Sequence, residues 1–249
     1  PSRRIGSSIS NWLSFWQQRA CHALMKRADL IVVDNSLVKQ GLIARGLSGS
    51  KIVVAPAGGV DLPRMESAEP SEEKFDAIFV GRLHPGKGIF DLPEIWAKVC
   101  ERMPGARLGI IGNGPAHYRA ALADALAVAG LSGRAVLLGS PETEQLYGLL
   151  KSARLFISPS HEEGWGIAIC EAMACGLPVV AYDLPVYAEV FHGAVQTVSL
   201  GDRVAFSESI IDILSNPSLR QVAIQRSVGV ARQYSWESVA RQEEEMLLE

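Results

Sequence analysis

Paired cysteines, long apolar runs and a basic surplus are all missing from this sequence. Its 249 residues include four cysteines, Cys21, Cys100, Cys170 and Cys175. No C-x-x-C pair occurs among them, and a chain of this length needs no disulfide staple. They read as reduced thiols of an intracellular protein. No apolar run reaches the roughly 18 residues that cross a bilayer. Lysine plus arginine number 24 against 27 acidic residues, a net charge of −3. That balance argues against a general nucleic-acid binder, whose surface carries a basic excess. No pair of histidines stands at metal-ligand spacing. A Walker A loop is missing, and Gly112-Asn-Gly-Pro-Ala-His fails to complete G-x-G-x-x-G, so a nicotinamide cofactor has little support. The start, Pro1-Ser-Arg-Arg, is neither a methionine nor a signal peptide. The chain reads as a piece of a longer protein.

What is present is a core. Hydrophobic residues make up 48% and charged residues 20%, the balance of a globular chain, and the length allows one to two domains. Short apolar runs without polar alternation lie at 30–33, 52–55, 77–80, 107–111, 135–138, 155–158, 178–181 and 195–198. Such runs are strands covered on both faces, as in a parallel sheet. Helical stretches separate them, at 87–102, 115–129, 141–152 and 166–175. Ser140 followed by Pro141 reads as an N-cap with proline at the first helical position. Alternation of this kind predicts a doubly wound α/β sheet with right-handed crossovers.

The stretch from Pro56 to Lys74 is rich in Pro, Gly, Ser and Glu, and 57–74 reads as a linker. It would join a fragment, 1–56, to a Rossmann-like unit, 75–232, with a final helix over 233–249 that packs outside that unit. Ile9, Trp12, Leu13, Trp16, Ala20, Ala23 and Leu24 form a stripe at helical spacing. The expectation is a core or covered interface; the alternative is a membrane-surface helix, with Arg3, Arg4 and Arg19 toward anionic headgroups.

Ligands of open α/β sheets bind beyond the carboxyl ends of the strands. Three loops there are glycine-containing and open helices: Gly81-Arg82-Leu83-His84-Pro85-Gly86-Lys87-Gly88, Gly112-Asn113-Gly114-Pro115, and Pro159-Ser-His161-Glu-Glu163-Gly164-Trp165-Gly166. Glycines let backbone N–H groups approach a ligand, and helix N-termini favour anions. Arg82 offers a bidentate fork for phosphate and Lys87 a compact charge. Glu163 precedes the last helix, and Glu171 lies about one and a half turns inside it. There Ile167, Ala168, Ile169, Ala172, Met173 and Ala174 surround Glu171, and an acid in apolar surroundings is costly without a partner. His84 is expected to be a solvated loop residue. His161 is weighed as a donor-orienting residue against an ordinary loop histidine. Asp183–Glu189 reads equally as a cleft loop and as a simple connection.

The run Glu163-Gly-Trp-Gly-Ile-Ala-Ile-Cys-Glu171-Ala-Met-Ala-Cys-Gly-Leu-Pro-Val-Val180 resembles the E-x7-E signature of retaining glycosyltransferases of family four. Residues 28–36, 51–61, 79–83 with Lys87-Gly88, 112–115, Leu138-Gly139 and 156–160 fall in family order. The resemblance implies a GT-B fold: two Rossmann-like domains with the active site in the cleft between them. This chain is similar to the C-terminal donor-binding domain, with residues 1–56 a remnant of the acceptor domain and the last helix the segment that crosses back.

By that resemblance, Arg82 and Lys87 hold the diphosphate of a nucleotide sugar, Glu171 binds the ribose, and Glu163 meets the donor sugar. Catalytic roles fall to Glu163, Arg82 and Lys87. Donor contacts extend to Gly81, Gly112, Asn113, Leu138, Gly139, Gly164, Trp165 and Gly166. No D-x-D occurs, so no metal and no cofactor is expected. The implied reaction moves a hexose, with retention, to a glycan, lipid-linked or small-molecule acceptor in the cytoplasm. Peripheral membrane contact through the absent part of the acceptor domain stays open, as does the oligomeric state. The alternatives are a nucleotide-sugar-binding module without turnover, a GT-B epimerase, and a phosphorylase.

Overall fold

Every one of the eight apolar runs becomes a β-strand. The computed structural model describes residues 19–56 and 58–248, in two compact units divided after Pro56. The stripe over 9–25 therefore falls largely outside the described residues. Its described part is helical, over 19–27 (α1).

In the first unit, β1 (Ile31–Val33) runs parallel to β2 (Ile52–Val54), with Ile31 opposite Ile52. Between them lies α2 (Ser36–Ala44), started by Asn35, whose side chain accepts from the Val38 N–H at 2.9 Å. Such a cap satisfies one of the donors a helix start leaves open. Val33, Leu42, Leu47 and Ile52 form this unit's small core.

The second unit repeats strand and helix. Its elements are α3 (Leu62–Ser67), β3 (Ala77–Val80), α4 (Leu92–Arg102), β4 (Leu108–Ile111), α5 (Ala116–Val128), β5 (Ala135–Gly139), α6 (Thr143–Ser152) and β6 (Phe156–Ser158). There follow α7 (Ile167–Ala174), β7 (Val179–Tyr182), α8 (Pro185–Phe191), β8 (Gln196–Val198), α9 (Arg203–Ser215), α10 (Pro217–Ala231) and α11 (Trp236–Leu248). The sheet is parallel throughout, in the order β5-β4-β3-β6-β7-β8. Side chains alternate across it. Ala77 and Phe79 enter the core cluster with Trp96, Leu122 and Phe206, while Ile78 enters the other with Tyr147, Met173 and Phe191. Both faces are covered, which explains why the strands lack polar alternation. Among the described residues, no helix is long and apolar enough to cross a membrane.

Three boundaries differ from the sequence reading. The helix expected from residue 87 begins at Leu92, after a 3-10 turn over Pro85–Lys87. Gly88 ends that turn with φ +66°, and a Cβ there would collide with the Pro159 carbonyl. The chain packs too tightly against the neighbouring loop to continue as helix. Secondly, Ser140 is not an N-cap: the helix starts at Thr143, with Glu142 in the cap position. Thirdly, the expected linker holds α3. Asp61 caps it, accepting from the Arg64 N–H at 3.2 Å, and Pro63 sits in its first turn. Val60 and Met65 are buried in the core of the second unit. Val60 also pairs with the segment that leads into α11: its N–H donates to the Tyr234 carbonyl, and its carbonyl accepts from the Trp236 N–H.

Candidate active site

The strand order reverses between β3 and β6, and such a switch point opens a crevice at the carboxyl ends of the two strands. The loops leaving those strands, 81–88 and 159–166, are thereby neighbours. The His161 N–H donates to the Gly86 carbonyl at 2.9 Å. The Glu162 side chain folds close over Gly86, where a Cβ would lie 2.5 Å from its carboxylate.

Lys87 and Glu163 meet across this seam. The ammonium lies 2.6 Å from Glu163 Oε1, with the two side chains 20% and 16% exposed. Glu163 Oε1 also accepts from the Ser160 hydroxyl at 3.1 Å, which in turn accepts from Ser158 at 3.3 Å. Together with exposed Arg82, the backbone of Gly86 and Gly164, His84 and Glu162, they line a cavity of about 320 Å³. A small open cavity lined by two cations and two carboxylates offers charge-assisted donors to a phosphate and acceptors to hydroxyl groups.

The glycine backbones stack beside it. Gly81 N–H donates to the Ile111 carbonyl at 3.0 Å, and Gly112 N–H to the Gly139 carbonyl at 2.7 Å. Gly112 has φ +145°, and a Cβ there would overlap the Gly81 carbonyl, so only glycine lets these two strand ends close up. Asn113 turns back on its own loop, accepting from the Gly114 N–H at 2.9 Å.

Glu171 lies in α7, half-buried. Burial raises its pKa, and no charged or hydrogen-bonding side chain offsets this among the described residues. The same helix carries Cys170, whose thiol burial pushes up to about 12; no thiolate nucleophile is available there.

A profile of the family described as glycosyl transferases group 1 matches residues 64–228. The chain belongs to this family. Over 233 residues it is 31% identical to D-inositol 3-phosphate glycosyltransferase of Mycolicibacterium smegmatis, covering 86% of this chain and 51% of that protein. It is also 31% identical over 207 residues to a phosphatidyl-myo-inositol mannosyltransferase of Mycobacterium tuberculosis, covering 78% of this chain and 53% of that one. The chain thus spans about half the length of these curated relatives. Among solved structures, Anabaena HepE in complex with UDP and glucose has a TM-score of 0.81 at 20% identity, covering 92% of this chain and 66% of HepE. The α/β fold is that of GT-B glycosyltransferases.

Not every residue expected in the site lines the same cavity. Arg82, Lys87, Glu163 and Gly164 do. Leu138 lines a separate cavity of about 690 Å³, with Arg64, Ser67, Glu69, Pro141 and Glu144. The Trp165 indole is buried, edge-on to Tyr234 and Phe191. The ring belongs to the core, leaving only backbone to the loop. Gly166 occupies the N-cap position of α7. His84 is half-buried rather than solvated, and its Nδ1 accepts from the Gly86 N–H at 3.1 Å, capping the 3-10 turn.

Two groups near the site escape a linear reading. Tyr187 of α8 is buried, and its hydroxyl makes no hydrogen bond of ordinary geometry among the described residues. Burial and then the Glu163 charge push its pKa up. Asp91, at the start of α4, is also buried and receives His161. Their partners lie far away in sequence, so no local motif marks them.

Proposed function

We propose that this chain is the nucleotide-sugar half of a retaining, metal-independent hexosyltransferase. The observation that carries the reading is the meeting of Lys87 and Glu163 at 2.6 Å beside Arg82, at the switch point of the sheet. In this reading the diphosphate of the donor takes Lys87 and Arg82, Glu163 accepts hydroxyls of the sugar, and half-buried Glu171 accepts the ribose hydroxyls. Gly81, Gly112, Asn113, Gly139, Gly164 and Gly166 supply close backbone approach.

Departure of a nucleoside diphosphate places negative charge on the β-phosphate. Fixed cations already aimed at that point stabilise the charge without reorganising. A carboxylate such as Glu163 only accepts hydrogen bonds, which suits a partner for sugar hydroxyls. No three His, Cys, Asp or Glu side chains converge among the described residues, so the reading assigns charge neutralisation to Arg82 and Lys87. Relatives named for inositol phosphate and phosphatidylinositol acceptors support a sugar or lipid-linked acceptor, and with it a cytoplasmic protein that works at a membrane surface.

Calorimetry with UDP, GDP and the bare nucleosides tests the reading. Arg82→Ala and Lys87→Ala should each weaken the diphosphates by about 1.5–3 kcal/mol, the worth of a charge-assisted hydrogen bond. Uridine or guanosine should change far less. Equal losses for nucleoside and diphosphate contradict the assignment.

A further inference from the structure

Asp91 occupies the cap position of α4, yet its side chain makes no capping hydrogen bond. It is 4% exposed, and a buried carboxylate is costly unless paired. It is paired three times, from three other elements. His161 Nε2 lies 2.7 Å from Oδ2, the Tyr182 hydroxyl donates to Oδ2 at 3.0 Å, and Arg203 Nε donates to Oδ1 at 2.9 Å. A carboxylate only accepts, so Nε2 carries the proton in the His161 bond. Arg203 continues to Glu94 at 2.6 Å.

Tyr182 ends β7 and Arg203 starts α9, both regular elements packed in the core. His161 is different. It is an exposed residue of the irregular loop after β6, two positions before Glu163. Near it, that loop meets the Lys87 loop through the His161 N–H to Gly86 carbonyl bond and the tight approaches of Pro159 to Gly88 and of Glu162 to Gly86. The bond to Asp91 is the charge-assisted tie on this side of the loop, and its far end is fixed by two core elements.

We propose that Asp91 is a positioning residue that acts through His161: the pair clamps the Glu163 loop against the Lys87 loop and so sets the distance between carboxylate and ammonium. The proposal rests on the reading above, in which Lys87 and Glu163 hold the donor. Partners that orient a binding group in this way are worth roughly ten- to a hundredfold in affinity or activity.

The test is a titration of the protein with UDP-glucose and with GDP-mannose, using whichever saturates the unmutated chain, on His161→Leu, His161→Gln, Lys87→Ala and the double variant Lys87→Ala/His161→Leu. His161→Leu should weaken binding about tenfold while the melting temperature stays within about 2 °C. His161→Gln should restore affinity, because its amide nitrogen reaches about as far as Nε2 and donates to Asp91. In the Lys87→Ala background His161→Leu should cost less than it does alone, since coupled groups are not additive. Unaltered affinity in His161→Leu, with affinity lost in Lys87→Ala, overturns the clamp and leaves the donor reading standing. A glutamine variant as weak as leucine, or additive losses in the double variant, overturns the clamp as well. Unaltered affinity in Lys87→Ala refutes the donor reading, and the clamp with it.

Discussion

Glu163→Gln is the perturbation that the geometry resolves most sharply, because it acts on nucleotide and sugar in opposite directions. Glutamine keeps the shape and the acceptor for Ser160, but it removes the charge that now engages Lys87 at 2.6 Å. Exposed pairs are worth up to about 1 kcal/mol, and breaking a fully buried pair costs about 3–5 kcal/mol. With side chains 20% and 16% exposed, this pair falls between, at about 1–2 kcal/mol. Freed of it, Lys87 is wholly available to a diphosphate, so UDP or GDP should bind about five- to thirtyfold more tightly. A sugar nucleotide gains the same freedom but loses a hydrogen bond to a charged group, about 1.5–3 kcal/mol. The ratio of sugar-nucleotide to nucleotide dissociation constants should therefore rise by about 10- to 150-fold. Calorimetry on both ligands measures that ratio directly. An identical change for both would refute the division of labour between Lys87 and Glu163.

Glu171 should make donor affinity pH-dependent: burial raises its pKa, so nucleotide binding that needs the carboxylate should fall on acidification above the ordinary range near 4.3, and Glu171→Gln should flatten the profile. For stability the sign is the reverse of the usual carboxylate case. The penalty is absent below the unfolded-state pKa and accumulates as pH rises toward the raised folded value, so Glu171→Gln should raise the melting temperature at neutral pH and leave it unchanged in acid. Gly88→Ala combines positive φ with a collision against Pro159; it should cost about 1–3 kcal/mol and lower the melting temperature by several degrees, whereas an unchanged melt would dismiss the tight seam. Chelator treatment should leave donor affinity unchanged, and a chelator-sensitive titration would speak for a metal that Arg82 and Lys87 do not replace.

Much of this was legible along the chain because the sheet is covered on both faces. Ile78, Ile110, Ile157 and Val180 sit in runs apolar enough to mark strands without any partner, and the reversal at β3 and β6 brings their loops together. What was not legible depends on distant contacts. The start of α4 is set by Pro159 pressing on Gly88, and the indole of Trp165 is claimed by Phe191 and Tyr234. Asp91 draws partners 70, 91 and 112 positions away, a constellation without local spacing. The short α3 is the exception. Asp61 followed by Pro63 is a readable cap and first turn, masked there by the polar composition of the segment.

The central claim is that the crevice beyond β3 and β6 holds a nucleotide sugar. Thermal unfolding with UDP-, GDP- and ADP-sugars tests it most directly, since a ligand at a hundred times its dissociation constant adds about 2.7 kcal/mol to stability. The account predicts that one of these donors raises the melting temperature by several degrees and that Lys87→Ala cuts the rise by about half or more. No rise with any of the three, or a rise that survives Lys87→Ala undiminished, would contradict it.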